Sequence, residues 1–406
     1  MANTLKFGAG NWATKEGSTL AYNDSNSNFK PLPFNFSRAS KATVVNKDGL
    51  IEEVGSGQPR IDFLGNTKGA LLLEPSRSNV YTQSNLFSFG GNVTSNNSLS
   101  PDGTLNASKI TKTSSSDQFV ILPWSASLST STTYSLSFFV KHNGDDLDLR
   151  YESNNYNDWG ATPIDDGGVS WNALFEVREN SVIASTVNNC TSNVINFGNG
   201  WYRVVVYVTT SSSITPTSPS NLIRVIGSDT KQFLMYGAMF EQGSYSTSLI
   251  NTQGTIQTRL ADSCSQTTPD GVIGQTEGVV YMCFLSVNNF NGSSGNLFEI
   301  KEDNNNRINI YFSNGTPRLF GIENSSGVFN QALSLTTGSV CKLAIKYNST
   351  STKVFINGSL SHTLNGINNI AFNDYSFSPN NNIDYNEIKL YNTALSDSEL
   401  AALTQV

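Results

Sequence analysis

The 406-residue sequence predicts an all-β protein, with two antiparallel β-sandwich domains in tandem behind an irregular N-terminal arm. Three observations carry this reading. Short runs rich in Val, Ile, Phe and Tyr recur along the chain and are separated by Ser, Thr, Asn and Gly, the pattern of strands joined by polar loops. Only 37% of residues are hydrophobic but 11% are aromatic, so large rings fill the cores of an otherwise polar chain. A capped helix is signalled once, at the C-terminal end.

Residues 1–85 are punctuated by Gly8, Gly10, Pro31 and Pro33, too often for long elements. Short strands are predicted over residues 42–46 and 50–54, joined by Lys47-Asp48-Gly49, and Asp-Gly between apolar runs signals a hairpin. A further buried strand over 70–74 ends at Pro75.

Residues 86–262 form the first predicted sandwich. Its strands are Gln118–Pro123, Thr133–Val140, Leu147–Tyr151, Ala173–Val177, Trp201–Val208 and Phe233–Glu241. Residues 251–273, rich in Thr, Ser, Gln and Gly, read as a linker. The second sandwich, 263–406, has strands at Gly278–Leu285, Asn296–Ile300, Arg307–Phe312, Arg318–Ile322, Val340–Tyr347, Lys353–Ile356 and Asp384–Tyr391. At the end, Ser396 with Glu399 forms a capping box that starts a helix.

Composition excludes several function classes. Charged residues make up 14% and the net charge is −7, with no Lys/Arg cluster, so phosphate binding lacks its electrostatic footprint and nucleic acid is not an expected partner. No apolar run approaches a membrane span or a signal-peptide core, which predicts no membrane insertion and synthesis without a Sec signal. Cys190, Cys264, Cys283 and Cys341 are widely spaced and form no zinc motif. Cys283 and Cys341 lie in strand-like runs and read as small buried hydrophobes. His142 and His362 are the only histidines, which leaves little scope for imidazole acid/base chemistry.

Several segments resemble known families. Lys342–Tyr347, Lys353–Gly358 and Glu387–Leu400 together resemble the laminin-G-like, concanavalin-A-like jelly roll. Gly200–Val204, Tyr236–Gly243, Ser248–Thr252 and Thr258–Asp262 resemble a carbohydrate-binding-module-like jelly roll that precedes it in bacteriophage structural proteins. Phe36–Thr43, Pro59–Asp62 and Leu71–Asn79 resemble the segment ahead of both. The resemblance implies a tailed-bacteriophage virion protein, a head-fibre or tail-fibre subunit. Such a subunit would be a homotrimer assembled in the host cytoplasm, attached to other virion proteins through residues 1–85, and displaying lectin-like domains to host cell-surface glycans. The alternatives are a surface-polysaccharide depolymerase of a tail spike and a purely architectural capsid or tail component.

No enzymatic activity is expected. The Glu-x-Asp-x-x-Glu strand of glycan-cleaving jelly rolls is absent, and the acidic run Glu299–Asp303 alternates its carboxylates between strand faces. No cofactor is expected. Calcium is the one candidate, at Gly144–Asp148, Asp165–Gly167 and Asp303–Asn305, but none of these has EF-hand spacing and Asp/Asn/Gly runs read first as turns. For sugar contact, Trp159 with Asn157 and Asp158, and Trp171, have polar surroundings suited to a ring platform flanked by hydrogen-bonding groups. Trp159 reads equally as a loop anchor, and Trp201 as core. Arg38, Arg60 and Arg77, with Asp62, suggest a structural ion-pair network holding the irregular segment in place.

Overall fold

The computed structural model describes the chain except residues 1–3, 11, 16–17, 24–27, 31–34, 125, 154–169, 213–219, 268–270, 287–294, 369–370 and 379–381. It forms two compact units. One comprises Met1–Lys47, Val54–Ser76 and Leu260–Val406, and the other Asp48–Glu53 and Arg77–Arg259. Both are antiparallel β-sandwiches.

The unit built around Arg77–Arg259 has two six-stranded sheets. One runs in the order Ser88–Phe89, Gln118–Pro123, Ser220–Val225, Leu147–Ser153, Asn172–Arg178, Ser181–Asn188. The other runs Asn92–Leu99, Leu105–Thr111, Gln232–Gln242, Thr133–His142, Trp201–Thr209, Thr191–Gly198. Alternate residues of each sheet meet between them: Val120, Leu149, Phe175 and Ile223 from the first, Leu136, Phe138, Val204 and Met235 from the second. Tyr81 and Tyr151 share a buried hydroxyl contact of 2.6 Å, and Asn221 donates to Tyr81 at 3.1 Å, so the polar ends of these core rings are satisfied.

In the other unit an eleven-stranded sheet faces a seven-stranded one. Val280, Met282, Phe284, Leu343 and Ile388 from the first pack on Leu297, Ile300, Ile308, Ile310 and Leu319 from the second. The helix Asp397–Thr404 carries the expected capping box, and its Leu400 is buried against Val279, Tyr281, Ala344 and Phe355 on the outer face of the larger sheet.

The N-terminal region departs from expectation. Residues 1–85 are not a separate irregular arm. Thr4–Gly8 pairs antiparallel with Ile383–Tyr391, Asn35–Ser37 with Ser263–Thr267, and Ala70–Leu73 with Ile383–Tyr391. These segments lack local apolar alternation. Each has one edge paired to a strand more than 200 positions away, while Thr4–Gly8 and Ala70–Leu73 also pair locally with Ser18–Asn23 and Ile61–Asp62, so tertiary pairing decides what local pattern leaves open.

The abundance of Asn has a backbone reason. At Asn199-Gly200, Asn314-Gly315 and Asn357-Gly358 both residues have positive φ, of 52° and 76°, 48° and 78°, and 48° and 85°. Each pair joins adjacent antiparallel strands, and two-residue turns with both φ positive match the right-handed strand twist.

Candidate functional site

The strands Asn296–Asp303, Asn306–Ser313 and Thr316–Glu323 lie side by side in the seven-stranded sheet. In Asn306–Ser313 the residues alternate strictly. Ile308, Ile310 and Phe312 enter the core, and the two-residue period turns Arg307, Asn309 and Tyr311 to the other face. Register then sets a row across the sheet: Glu299 lies opposite Asn309, Asn309 opposite Phe320, and Phe320 opposite Asn330.

Glu299, Arg307, Asn309, Tyr311 and Phe320 line an open groove of about 720 Å³. Asn309 donates from Nδ2 to Asn296 Oδ1 (2.8 Å), and Asn296 donates from Nδ2 to Glu299 Oε2 (3.1 Å). Lys301 Nζ stands 3.0 Å from Glu299 Oε1 and Arg307 Nε 3.7 Å from Glu299 Oε2, so the carboxylate is compensated locally. The Arg307 guanidinium lies 5.5 Å from the centroid of the Phe320 ring. Tyr311 and Phe320 meet edge to face, with centroids 6.0 Å apart and planes at 82°. Tyr311 Oη donates to Asn330 Oδ1 at 3.2 Å, and Arg318 Nε donates to the same atom at 2.6 Å.

One atom is left over. Asn309 is 4% exposed, and its Oδ1 has no hydrogen-bond partner among the described residues. A buried amide oxygen without a donor costs on the order of 1–3 kcal/mol. Glu299 is the single carboxylate among the described residues lining the groove, whereas glycoside hydrolysis ordinarily uses a flanking pair.

The residues expected to contact sugar fall elsewhere. Trp171 is 1% exposed and packs against Tyr151, with ring centroids 5.6 Å apart, in the core of its own unit. It is no surface platform. Its polar neighbours are themselves buried, with Ser170 donating to Ser153 Oγ (3.1 Å) and Asn172 accepting from Asn188 (3.0 Å), so polar flanks there mark satisfied groups rather than exposure. Trp159, Asn157 and Asp158 lie outside the described residues, as do Asp165 and Asp166. The other acidic runs are engaged within the fold: Asp145 accepts from Gln232 N (3.1 Å), Asp148 pairs with Arg178 (2.9 Å), and Asp303 accepts from Asn305 N (2.7 Å). Among the described residues no group of three or more His, Cys, Asp and Glu side chains is placed to hold a metal ion.

The arginines behave as the sequence suggests, with one exception. Arg38 Nη1 donates to Asp262 Oδ1 (3.0 Å), Arg60 Nη1 to Glu74 Oε2 (2.6 Å), and Arg60 Nη2 to Asp262 Oδ2, all four side chains being fully buried. Burial alone lowers the Arg60 pKa, but Asp262 and Glu74 outweigh it and hold the guanidinium above its ordinary range. Arg77 belongs to the other unit, 3.9 Å from Glu241 and stacked over Tyr245 at 4.8 Å.

No family model and no curated protein matches the chain. Among solved structures it is similar to domain 4 of AbnA, a GH43 extracellular arabinanase from Geobacillus stearothermophilus, determined in complex with arabinotriose. The likeness has 18% identity over 40% of this chain and 84% of that one, with a TM-score of 0.30. It is also similar to the binding domain of Paraclostridial Mosquitocidal Protein 1, at 17% identity over 38% of this chain and 44% of that one, with a TM-score of 0.30. The LG1-3 region of the laminin alpha2 chain matches at 12% identity over 69% and 66%, with a TM-score of 0.26. Likenesses this distant carry no argument about a ligand.

Proposed function

We propose that the protein is a non-enzymatic glycan-binding protein, and that the groove formed by Asn296, Glu299, Arg307, Asn309, Tyr311 and Phe320 is its contact surface. The observation that carries the reading is Asn309 Oδ1, a buried acceptor without a donor among the described residues, beside two partly exposed rings. Sugars present hydroxyls around an apolar ring face, so an amide floor with an aromatic wall matches both halves of that chemistry. The lone, internally paired Glu299 favours binding over cleavage.

The setting we propose is the virion of a tailed bacteriophage, as a homotrimeric head-fibre or tail-fibre subunit that meets other virion proteins through residues 1–85 and a host cell-surface glycan through this groove. Its support is the sequence resemblance carried by Lys353–Gly358, Gly200–Val204 and Leu71–Asn79.

The test is a glycan array read with the full chain beside Asn309→Ala and Tyr311→Ala. Binding is expected for the native chain, and each variant should weaken it about three- to tenfold, the worth of one hydrogen bond or one ring contact. Equal binding by all three proteins overturns the groove assignment. Shortening of host capsule polysaccharide on incubation with the native chain overturns the non-enzymatic reading.

A further inference from the structure

A second recess lies in the same unit, on the larger sheet. Ile383 and Tyr385 point into the core, so Asp384 between them faces the opposite side, across from Leu285 on one neighbouring strand and Leu72 on the other. Asp62 is on the short strand Ile61–Asp62, and the turns that follow it, closed by Phe63, Asn66 and Gly69, complete a half-enclosed cavity of about 390 Å³. Asp62 and Asp384 both line it, and Leu64, Ala70 and Leu285 add apolar wall.

Charge balance singles this cavity out. The two buried guanidiniums nearby, Arg38 and Arg60, are bridged to Asp262 and Glu74. Asp62 and Asp384 form no salt bridge among the described residues. Asp62 is satisfied by backbone, accepting from Val45 N (2.8 Å) and Leu64 N (3.1 Å). Asp384, half-buried and lining the cavity, is not: its Oδ1 has no hydrogen-bond partner among the described residues. Burial and the neighbouring Asp62 and Glu74 hold the Asp384 carboxyl well above the usual carboxylate range, and burial pushes Asp62 up to about 6. A group so placed is stabilised by any cation that reaches it.

We propose that this cavity binds a small-molecule primary ammonium carried on a short apolar stem, with its N–H donors directed at Asp384 and Asp62 and its stem against Leu64, Ala70 and Leu285. The donor count favours an ammonium over a metal. An ammonium needs only three acceptors, within reach of Asp384 and the second lone pairs of the Asp62 oxygens, whereas calcium needs six to eight oxygen ligands and Asn386 Oδ1 is already taken by Asn66 at 2.8 Å. Lys342, at the rim, is occupied by the carbonyl of Gln405 at 2.6 Å.

The ammonium replaces a proton on the carboxyl pair, so binding and pH are linked. The groups facing Asp384 are Asp62 and Glu74, which oppose its ionisation, and Arg60, which favours it. Tyr281 and Cys283 line the cavity and are held protonated by burial, while Glu387, Lys68 and Lys342 complete its charged lining.

Calorimetric titration of the full chain with n-butylammonium chloride tests this, alongside n-butanol as the neutral analogue and calcium chloride. Saturable binding of butylammonium is expected, strengthening by up to tenfold per pH unit between pH 6 and 8 as one proton is displaced. Butanol should give no saturable signal. Asp384→Asn, checked for its fold by circular dichroism, should lose at least tenfold in affinity. Equal response to butanol and butylammonium, undiminished binding by a folded Asp384→Asn, or calcium binding tighter than butylammonium would each overturn the proposal.

Discussion

Replacing Arg60 with Met is the sharpest test of how the unit containing Leu260–Val406 is held together. Arg60 is fully buried and donates to Glu74, Asp262 and the carbonyl of Thr43 (3.0 Å). In the native chain Arg38 and Arg60 balance Asp262 and Glu74. Met keeps much of the side-chain volume but removes the guanidinium that bridges Glu74 and Asp262, and breaking such a buried pair costs about 3–5 kcal/mol. The Thr43 carbonyl loses a donor as well, for about 1 kcal/mol more. Against a domain stability of about 5–15 kcal/mol, this brings the unit near its unfolding threshold at neutral pH. Urea unfolding reads the effect, with the transition of the other unit as internal reference, because two units need not melt as one. Adding Glu74→Leu removes one of the two carboxylates that Arg60 bridges, so Arg60→Met/Glu74→Leu should recover roughly 2 kcal/mol or more of the loss. A single-variant cost under about 1 kcal/mol, or a double variant as unstable as the sum of the two singles, would refute the argument that charge pairing closes this segment.

Two further outcomes follow from the same unit. Asp62, lifted from 3.8 to about 6 mainly by burial, binds its proton more tightly folded than unfolded, so its contribution to stability is whole below pH 4 and is lost as pH rises through 6. That loss is about 3 kcal/mol, and the raised Asp384 extends it to higher pH, so urea midpoints should fall from pH 5 to pH 8 and fall less in Asp384→Asn; a rise with pH contradicts the burial argument. Ser396→Ala removes the acceptor for Glu399 N (3.3 Å) and should cost about 1 kcal/mol, seen as faster hydrogen exchange across Asp397–Thr404; unchanged exchange would show that packing of Leu400 alone holds the helix.

The strands that the sequence exposes are those with apolar residues to bury. Thr133–His142, Trp201–Thr209 and Glu277–Ser286 have runs of buried side chains and read directly from their Val, Phe and Tyr content. Asn92–Leu99, Ser181–Asn188 and Ser359–Asn365 do not, because nearly all their side chains are exposed and backbone pairing to a neighbouring strand keeps them extended. The groove was half legible: the alternation from Arg307 to Phe312 places Asn309 and Tyr311 on one face, but setting Glu299 and Phe320 beside them requires the register. Trp171 misled because serine and asparagine flank it, and only the structure shows those groups hydrogen-bonded inside the core. Asp62 and Asp384 stand 322 positions apart, and no local pattern joins them.

The two recesses differ in a way that follows from how this chain spends few charges. With 14% of residues charged, Arg38, Arg60, Glu74 and Asp262 are nevertheless fully buried in one unit, where a guanidinium fork can join segments that have little apolar surface to offer each other. Amides, hydroxyls and rings carry the contacts around Asn309, Tyr311 and Phe320. On the smaller sheet that composition yields a groove whose one carboxylate is locally neutralised by Lys301 and Arg307, a surface fit for neutral polyols. On the larger sheet Asp62 and Asp384, without a salt bridge among the described residues, line a cavity to which we assign an ammonium ligand. The same economy of charge therefore shapes both sites, through complete compensation in the first and its absence in the second.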